Sequence, residues 1–223
     1  PPTLRVPVGP CGCSCPFIIP GMDNLTLTRL GLTLRSRRDA GFTLIELVVT
    51  LAVAAVLASL AAPSVRDFIV RSSMTNLGNE FNASILKARN EAVNRNTCVT
   101  MCMSSNASAA SPSCTTSGTD WQVGWIVFLN PSCDAGLDEP AEDINMLIAR
   151  PGGESSYALQ TQNNRKKLNF NSRGAPGLGG AGEFDLIYES ISNPLTKKYG
   201  LNICLDSLGR TRTIPHDKTC ATY

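Results

Sequence analysis

Gly41-Phe42-Thr43-Leu44-Ile45-Glu46 opens an apolar run that lasts to Val65. Leu47–Val65 contains no charged residue, and about 20 such residues carry a helix across hydrocarbon. Glu46 stands alone at the start of the run. A lone carboxylate at membrane depth costs at least about 2–3 kcal/mol, so Glu46 requires a partner. Upstream, Arg5, Arg29, Arg35, Arg37 and Arg38 face only Asp23 and Asp39. A basic flank of this kind keeps the N-terminus cytoplasmic and sends the bulk of the chain across the membrane. The overall charge of +2 therefore hides an asymmetry, because beyond residue 41 acids and bases nearly balance.

A secretory signal is cut after its apolar core, whereas here the small residues Ala40-Gly41 precede the core. A plain anchor has no use for Glu46. The run from Gly41 to Glu46 resembles the N-terminus of type IV prepilins. That resemblance implies a prepilin peptidase that cuts between Gly41 and Phe42 and methylates the new amine. Glu46 then becomes the fifth residue of the mature chain. The cationic amine of Phe42 in one subunit can meet the Glu46 carboxylate of its neighbour, which offsets desolvation and sets axial register. Residues 1–41 are thus expected to be a removed leader. Pro1–Gly21, Pro- and Cys-rich without periodicity, is expected to be upstream sequence outside the fold, with Met22 as the true start.

Past the membrane run, Val65, Ile69, Leu77, Phe81, Ile85, Ala88 and Ala92 trace one apolar stripe. Arg66, Asp67, Arg71, Asn79, Glu80, Lys87 and Asn90 fill the other faces. One helix from Thr43 to Arg95 is expected, about 80 Å long. Residues 42–65 form its membrane and assembly half, and 66–96 its amphipathic continuation. Pro63 cannot donate to the carbonyl of Ser59 and is expected to kink or melt a turn there. The stripe is too irregular for a coiled-coil heptad.

From 97 onward the chain breaks into short β-prone runs separated by Gly, Pro, Ser and Asn. Strands are expected at 97–103, 122–129, 144–150, 157–160, 167–171, 183–189, 199–205 and 210–214. Trp125, Val127 and Leu129 alternate, as do Leu201, Ile203 and Leu205, so each strand is expected to bury one face. Residues 104–119 read as a mobile Ser/Thr/Ala-rich loop. Residues 120–143 are acidic, around Asp134, Asp138, Glu139, Glu142 and Asp143, and read as a solvated loop; their spacing is not that of a calcium-binding EF-hand. The fold class is α+β: a long N-terminal helix packed on an antiparallel β head at 97–223.

Cys98, Cys102, Cys114, Cys133, Cys204 and Cys220 lie beyond the membrane run, an even set that suggests an oxidising compartment. On a strand, Cys98 and Cys102 share a face but lie about 13 Å apart, and a bridge needs Cα atoms within about 7 Å. They must have different partners. Cys102–Cys114 across the Ser-rich loop and Cys204–Cys220 across a hairpin are the first choices, which leaves Cys98–Cys133. Zinc is the rival reading, but there is no close Cys-x-x-Cys pair and His216 is the sole histidine.

Ala88-Arg89-Asn90-Glu91-Ala92-Val93, Val99-Thr100-Met101-Cys102 and Trp121-Gln122-Val123-Gly124-Trp125-Ile126-Val127-Phe128 resemble the GspH/FimT group of minor pilins and pseudopilins. Asn169-Phe170-Asn171-Ser172-Arg173-Gly174 and the hairpin at Gly209-Arg210 are similar to it as well. The resemblance spans 41–214 and implies a pilus subunit made in the inner membrane with a periplasmic head. Its partners are then the prepilin peptidase and other major and minor pilins.

No catalytic constellation is evident, no cofactor or metal is called for, and the chain does not read as an enzyme. Gly177–Gly182 spells G-x-G-x-x-G, but a strand rather than a helix follows, against a nucleotide site. No Gly-x-Ser-x-Gly elbow accompanies His216. Gly209-Arg210-Thr211-Arg212 places two arginines on one strand face, about 7 Å apart. Lys197, Lys198 and Lys218 are expected to widen that basic patch, with Arg165-Lys166-Lys167 further off. From spacing alone this is a solvated arginine pair. FimT-like pilins, however, bind DNA through a C-terminal Gly-Arg-x-Arg element, and the resemblance implies double-stranded DNA as a partner through Gly209, Arg210 and Arg212. Two rivals stand beside it: a GspH-like pseudopilin of type II secretion, and a membrane-anchored periplasmic enzyme.

Overall fold

A single helix, α1 (Leu44–Asn94), sets the frame for every other element in the computed structural model, which describes residues 41–222 except 162 and 178–180. Of the expected leader, only Gly41 is among the described residues. Thr43 is extended and caps the helix, its hydroxyl accepting the Glu46 N–H at 3.2 Å. Thr and Glu three residues apart at a helix start is the capping-box spelling. At the other end Asn96 takes φ 50°, and the N–H groups of Asn96 and Thr97 donate to the carbonyls of Val93 and Ala92. Asn tolerates this left-handed conformation and stops the helix. The helix continues through Pro63, so of the two expected outcomes, a kink or a melted turn, the melted turn is absent. Losing one bond to the Ser59 carbonyl leaves the neighbouring turns their own bonds.

Burial divides α1. Among the described residues none before Val70 is buried, and the membrane run is exposed along its length. The head packs on Val70, Met74, Leu77, Phe81, Ile85, Ala88 and Ala92. Val65 and Ile69, expected in this stripe, are 53% and 54% exposed. At about 100° per residue, a step of seven from Val70 to Leu77 returns almost to the same face, while the step of eight from Ile69 does not. Gly78 brings the helix close: a Cβ there would meet Leu201 at 3.3 Å.

The head contains two four-stranded antiparallel sheets rather than one. The first orders β3 (Met146–Pro151), β2 (Gly124–Asn130), β1 (Cys98–Met103) and β5 (Lys167–Phe170). The second orders β4 (Tyr157–Thr161), β6 (Gly182–Tyr188), β7 (Leu201–Leu205) and β8 (Thr211–Pro215). All eight strands match expected segments to within two residues. The short helix α2 (Pro194–Tyr199) was not expected. Its signal is in the sequence: Asn193 caps it and Pro194 occupies the first turn, a position proline favours.

Both sheets feed one core with Phe81 at its centre. The Phe81 ring meets Trp121 and Trp125 edge-on at 5.3 Å each, and Phe184 at 4.9 Å. Each indole N–H has an acceptor: Trp125 donates to Ser84 Oγ at 3.0 Å, and Trp121 to the Arg165 carbonyl at 2.9 Å. Arg150 stacks 4.4 Å over Trp125 and reaches Glu80 and Gln122.

The one-sided burial expected for β2 and β7 does not hold, because every residue of β1 and β2 is buried and so are residues 202–205 of β7, Asn202 and Cys204 included. The loops expected to be mobile or solvated lie over the outer face of the first sheet, covering Cys102, Ile126 and Phe128. Disulfides Cys102–Cys114 and Cys98–Cys133 staple them there. Lys167 Nζ also pins the acidic loop, donating to Asp138 at 2.6 Å and to the carbonyls of Leu137 and Ala135. A third disulfide joins Cys204 to Cys220.

Candidate functional site

The β7–β8 hairpin closes over Asp206–Arg210. Asp206 N–H donates to the Arg210 carbonyl at 3.0 Å, and Gly209 N–H to the Asp206 carbonyl at 3.1 Å. The Asp206 side chain completes the turn. Its Oδ1 accepts the N–H groups of Leu208 (2.9 Å) and Arg210 (2.8 Å), and its Oδ2 accepts Arg210 Nε at 2.7 Å. Aspartate favours turns through this local bonding. Burial pushes the Asp206 carboxyl up, but the Arg210 N–H and guanidinium and the Leu208 N–H outweigh it and hold it below the usual carboxylate range.

The register sets what shares a face. Cys204 lies opposite Arg212 and Leu205 opposite Thr211, while Arg210 lies opposite Asp206. Arg210 and Arg212 are therefore on one face, together with Asp206 and Cys204. Both arginines are exposed. The C-terminal segment crosses the same face: Asn202 donates to the Lys218 carbonyl at 2.8 Å and bonds His216 Nδ1 at 3.1 Å, and Cys220 is tied to Cys204. Arg210, Arg212, Asp206 and that disulfide line a depression of ≈ 530 Å³.

Gly209 does more than ease a turn. It has φ +77°, and a Cβ there would sit 2.1 Å from the Gly174 carbonyl oxygen and 3.2 Å from Arg89 Cδ and Nε. Arg89 on α1 donates from Nε to that same carbonyl at 3.2 Å. Helix, 171–174 turn and hairpin thus meet at one junction, which holds the arginine turn to the distal part of α1.

The lysines divide. Lys198 is bonded to Asp67 at 2.7 Å and lies 4.9 Å over the Tyr199 ring; the Asp67 hydrogen bond raises its pKa. Asp67 and Arg89 are about 33 Å apart along α1 at about 1.5 Å per residue. Lys197 and Lys198 on α2 therefore belong to the membrane-proximal end of the head and do not widen the patch at Arg210. Lys218 lies on the segment that crosses the arginine face, with Asp217 at 3.6 Å. Lys166 donates to the Thr116 carbonyl, and Lys167 holds the acidic loop.

At the other end of the molecule, Phe42 and Leu44 are each 80% exposed, and Glu46 is exposed in the first turn of α1. Its backbone is capped by Thr43, while its carboxylate has no partner among the described residues. The sequence did not single out Asp206 or assign a role to Arg89. Asp206-x-x-Gly209 is a turn spelling that exposes the first; only the tertiary fold brings the second to the site.

An exposed apolar helix half, continued by an amphipathic half that carries a disulfide-stapled β head, is the construction of a type IV pilin or pseudopilin. A family model described as type II transport protein GspH matches residues 77–209, and one described as the prokaryotic N-terminal methylation motif matches residues 36–62. The chain belongs to the GspH family of minor pilins and pseudopilins. Among solved structures, the type IV minor pilin FimU of Pseudomonas aeruginosa PAO1 is similar in two crystal forms. One has a TM-score of 0.50 at 16% identity, covering 68% of this chain and 95% of FimU. The other has 0.47 at 17%, covering 65% and 94%. At such identity the first match speaks for the fold alone. No match was found among curated proteins. The methylation motif implies processing by a prepilin peptidase and assembly with other pilins or pseudopilins.

Proposed function

We propose that this chain is a FimT-like minor pilin that joins a type IV pilus and grips DNA through the arginine turn. It is inserted in the inner membrane with its head in the periplasm. It is cut between Gly41 and Phe42, and enters the fibre when its Glu46 meets the amine of a neighbouring subunit. Glu46, exposed at the first helical turn and without a side-chain partner among the described residues, supports that docking.

The observation that carries the DNA reading is the hydrogen-bonded hairpin that holds Arg210 and Arg212 on one exposed face, packed at Arg89, about 33 Å along the helix from the membrane-proximal Asp67. Two guanidinium groups so placed hold phosphates without reading bases. Binding is then independent of sequence and falls with salt, by about 0.9 in log–log slope for each phosphate neutralised. Arg210→Gln with Arg212→Gln should abolish retardation of double-stranded DNA by the processed chain in non-ionic detergent. Undiminished retardation refutes the reading.

A second reading is favoured by the matching family itself, described as a type II transport protein. As a pseudopilin the chain would push secreted proteins outward instead of capturing DNA. Deletion separates the two: loss of transformation supports the first reading, and loss of protein secretion the second.

A further inference from the structure

The arginine turn contains its own competitor for phosphate. Asp206 Oδ2 accepts Arg210 Nε at 2.7 Å, while Oδ1 is committed to the Leu208 and Arg210 N–H groups. The carboxylate cannot swing away without breaking the turn, since both of its oxygens are engaged. Arg210 is thus held along one edge by an anion, and the Nη edge is what it can offer to a ligand. A phosphate on that edge arrives beside a fixed negative charge on the same strand face.

We propose that Asp206 is a built-in counter-ion and positioning residue that fixes the pose of Arg210 and weakens its hold on nucleic-acid phosphate. This rests on the DNA-binding reading of the turn and adds regulation to it. The ion pair lies in the open, with Asp206 38% and Arg210 69% exposed in their side chains, so it competes with phosphate and does not sequester the arginine. An attenuated grip suits a filament subunit that must let DNA slide and be handed on. An Arg210 guanidinium relieved of Asp206 would hold the same strand longer.

The neutral replacements Asp206→Asn and Asp206→Ser test this. Asparagine can still accept the Leu208 and Arg210 N–H groups, and serine makes the weaker form of the same turn. Fluorescence anisotropy with a labelled duplex of about 30 base pairs reads binding of the processed full chain in non-ionic detergent, across a salt series. Each neutral variant should bind about threefold to tenfold tighter than the parent at low salt, with a log–log salt slope steeper by up to about 0.9. A structural role alone would not steepen that slope. Arg210→Gln should erase the gain, so that the double variant binds like Arg210→Gln alone. Equal or weaker binding by both neutral variants, at unchanged melting temperature, overturns the counter-ion role. So does a gain that persists without Arg210. If the parent binds and loses binding with Arg210→Gln and Arg212→Gln, the DNA reading stands whatever Asp206 does. If neither the parent nor the neutral variants bind, the DNA reading itself falls.

Discussion

Gly209→Ala tests how the arginine turn is held to α1. An alanine Cβ would lie 2.1 Å from the Gly174 carbonyl oxygen, against an ordinary contact of 3.4 Å or more. The hairpin or the 171–174 turn must then retreat by about 1.3 Å. Arg89, at 3.2 Å, blocks one direction of retreat. At φ +77° an L-residue costs about 1–2 kcal/mol by itself. Loss of the Arg89–Gly174 hydrogen bond adds about 1 kcal/mol. A total of roughly 2–3 kcal/mol follows, which at about 2–4 °C per kcal/mol lowers Tm by roughly 4–12 °C. Near-ultraviolet circular dichroism follows the loss of the Trp121 and Trp125 environment on heating. Gly177→Ala is the internal control. Its Cβ would lie 3.6 Å from the Asn169 carbonyl oxygen, an ordinary contact, so its cost should stay within about 0.5 kcal/mol. A Gly209→Ala shift no larger than that of Gly177→Ala refutes the junction.

Glu46→Ala or Glu46→Val should leave the chain in the membrane but absent from sheared fibres by mass spectrometry; normal incorporation contradicts the docking role. Cys204→Ser with Cys220→Ser should cost about 3 kcal/mol, the value for a loop of about 15 residues, read as a lower urea midpoint. It should also weaken DNA binding, because the disulfide forms one wall of the arginine depression. The Asp206 carboxyl is held low in the folded state, so its contribution is present above the unfolded value of about 3.9 and is lost as pH falls through the lower folded value. The Leu208 and Arg210 amide resonances should therefore keep their positions from neutral pH down to about pH 4 and move only below it; movement near pH 6 contradicts the assignment.

Much of the architecture was readable because it rests on local periods. The uncharged run to Val65, the stripe through Ala92 and the alternation in β2 and β7 each state an element without reference to distant residues. The Arg210–Arg212 pairing on one face follows from the two-residue period of a strand. The face argument kept Cys98 and Cys102 apart, and the pairs chosen across the Ser-rich loop and across the hairpin, with the one they leave over, are the three in the structure. The misses are of another kind. Val65 and Ile69 match the stripe by chemistry, but the head begins to cover the helix only at Val70. Lys198 lies close to Arg210 in sequence, yet it faces Asp67, because α2 and the arginine turn occupy opposite ends of the β7–β8 hairpin.

By itself the sequence determined a membrane-length helix with one carboxylate at its start, the strands that follow and the spacing of the arginine pair. Those features depend on side-chain polarity and backbone geometry within a few residues. The tertiary structure alone decided that the strands divide into two sheets and that the acidic and Ser-rich loops cover the outer face of the first. It also decided that Arg89, Gly174 and Gly209 meet. Such contacts join segments far apart in the chain, and shape and chain entropy choose among pairings that local pattern leaves equivalent.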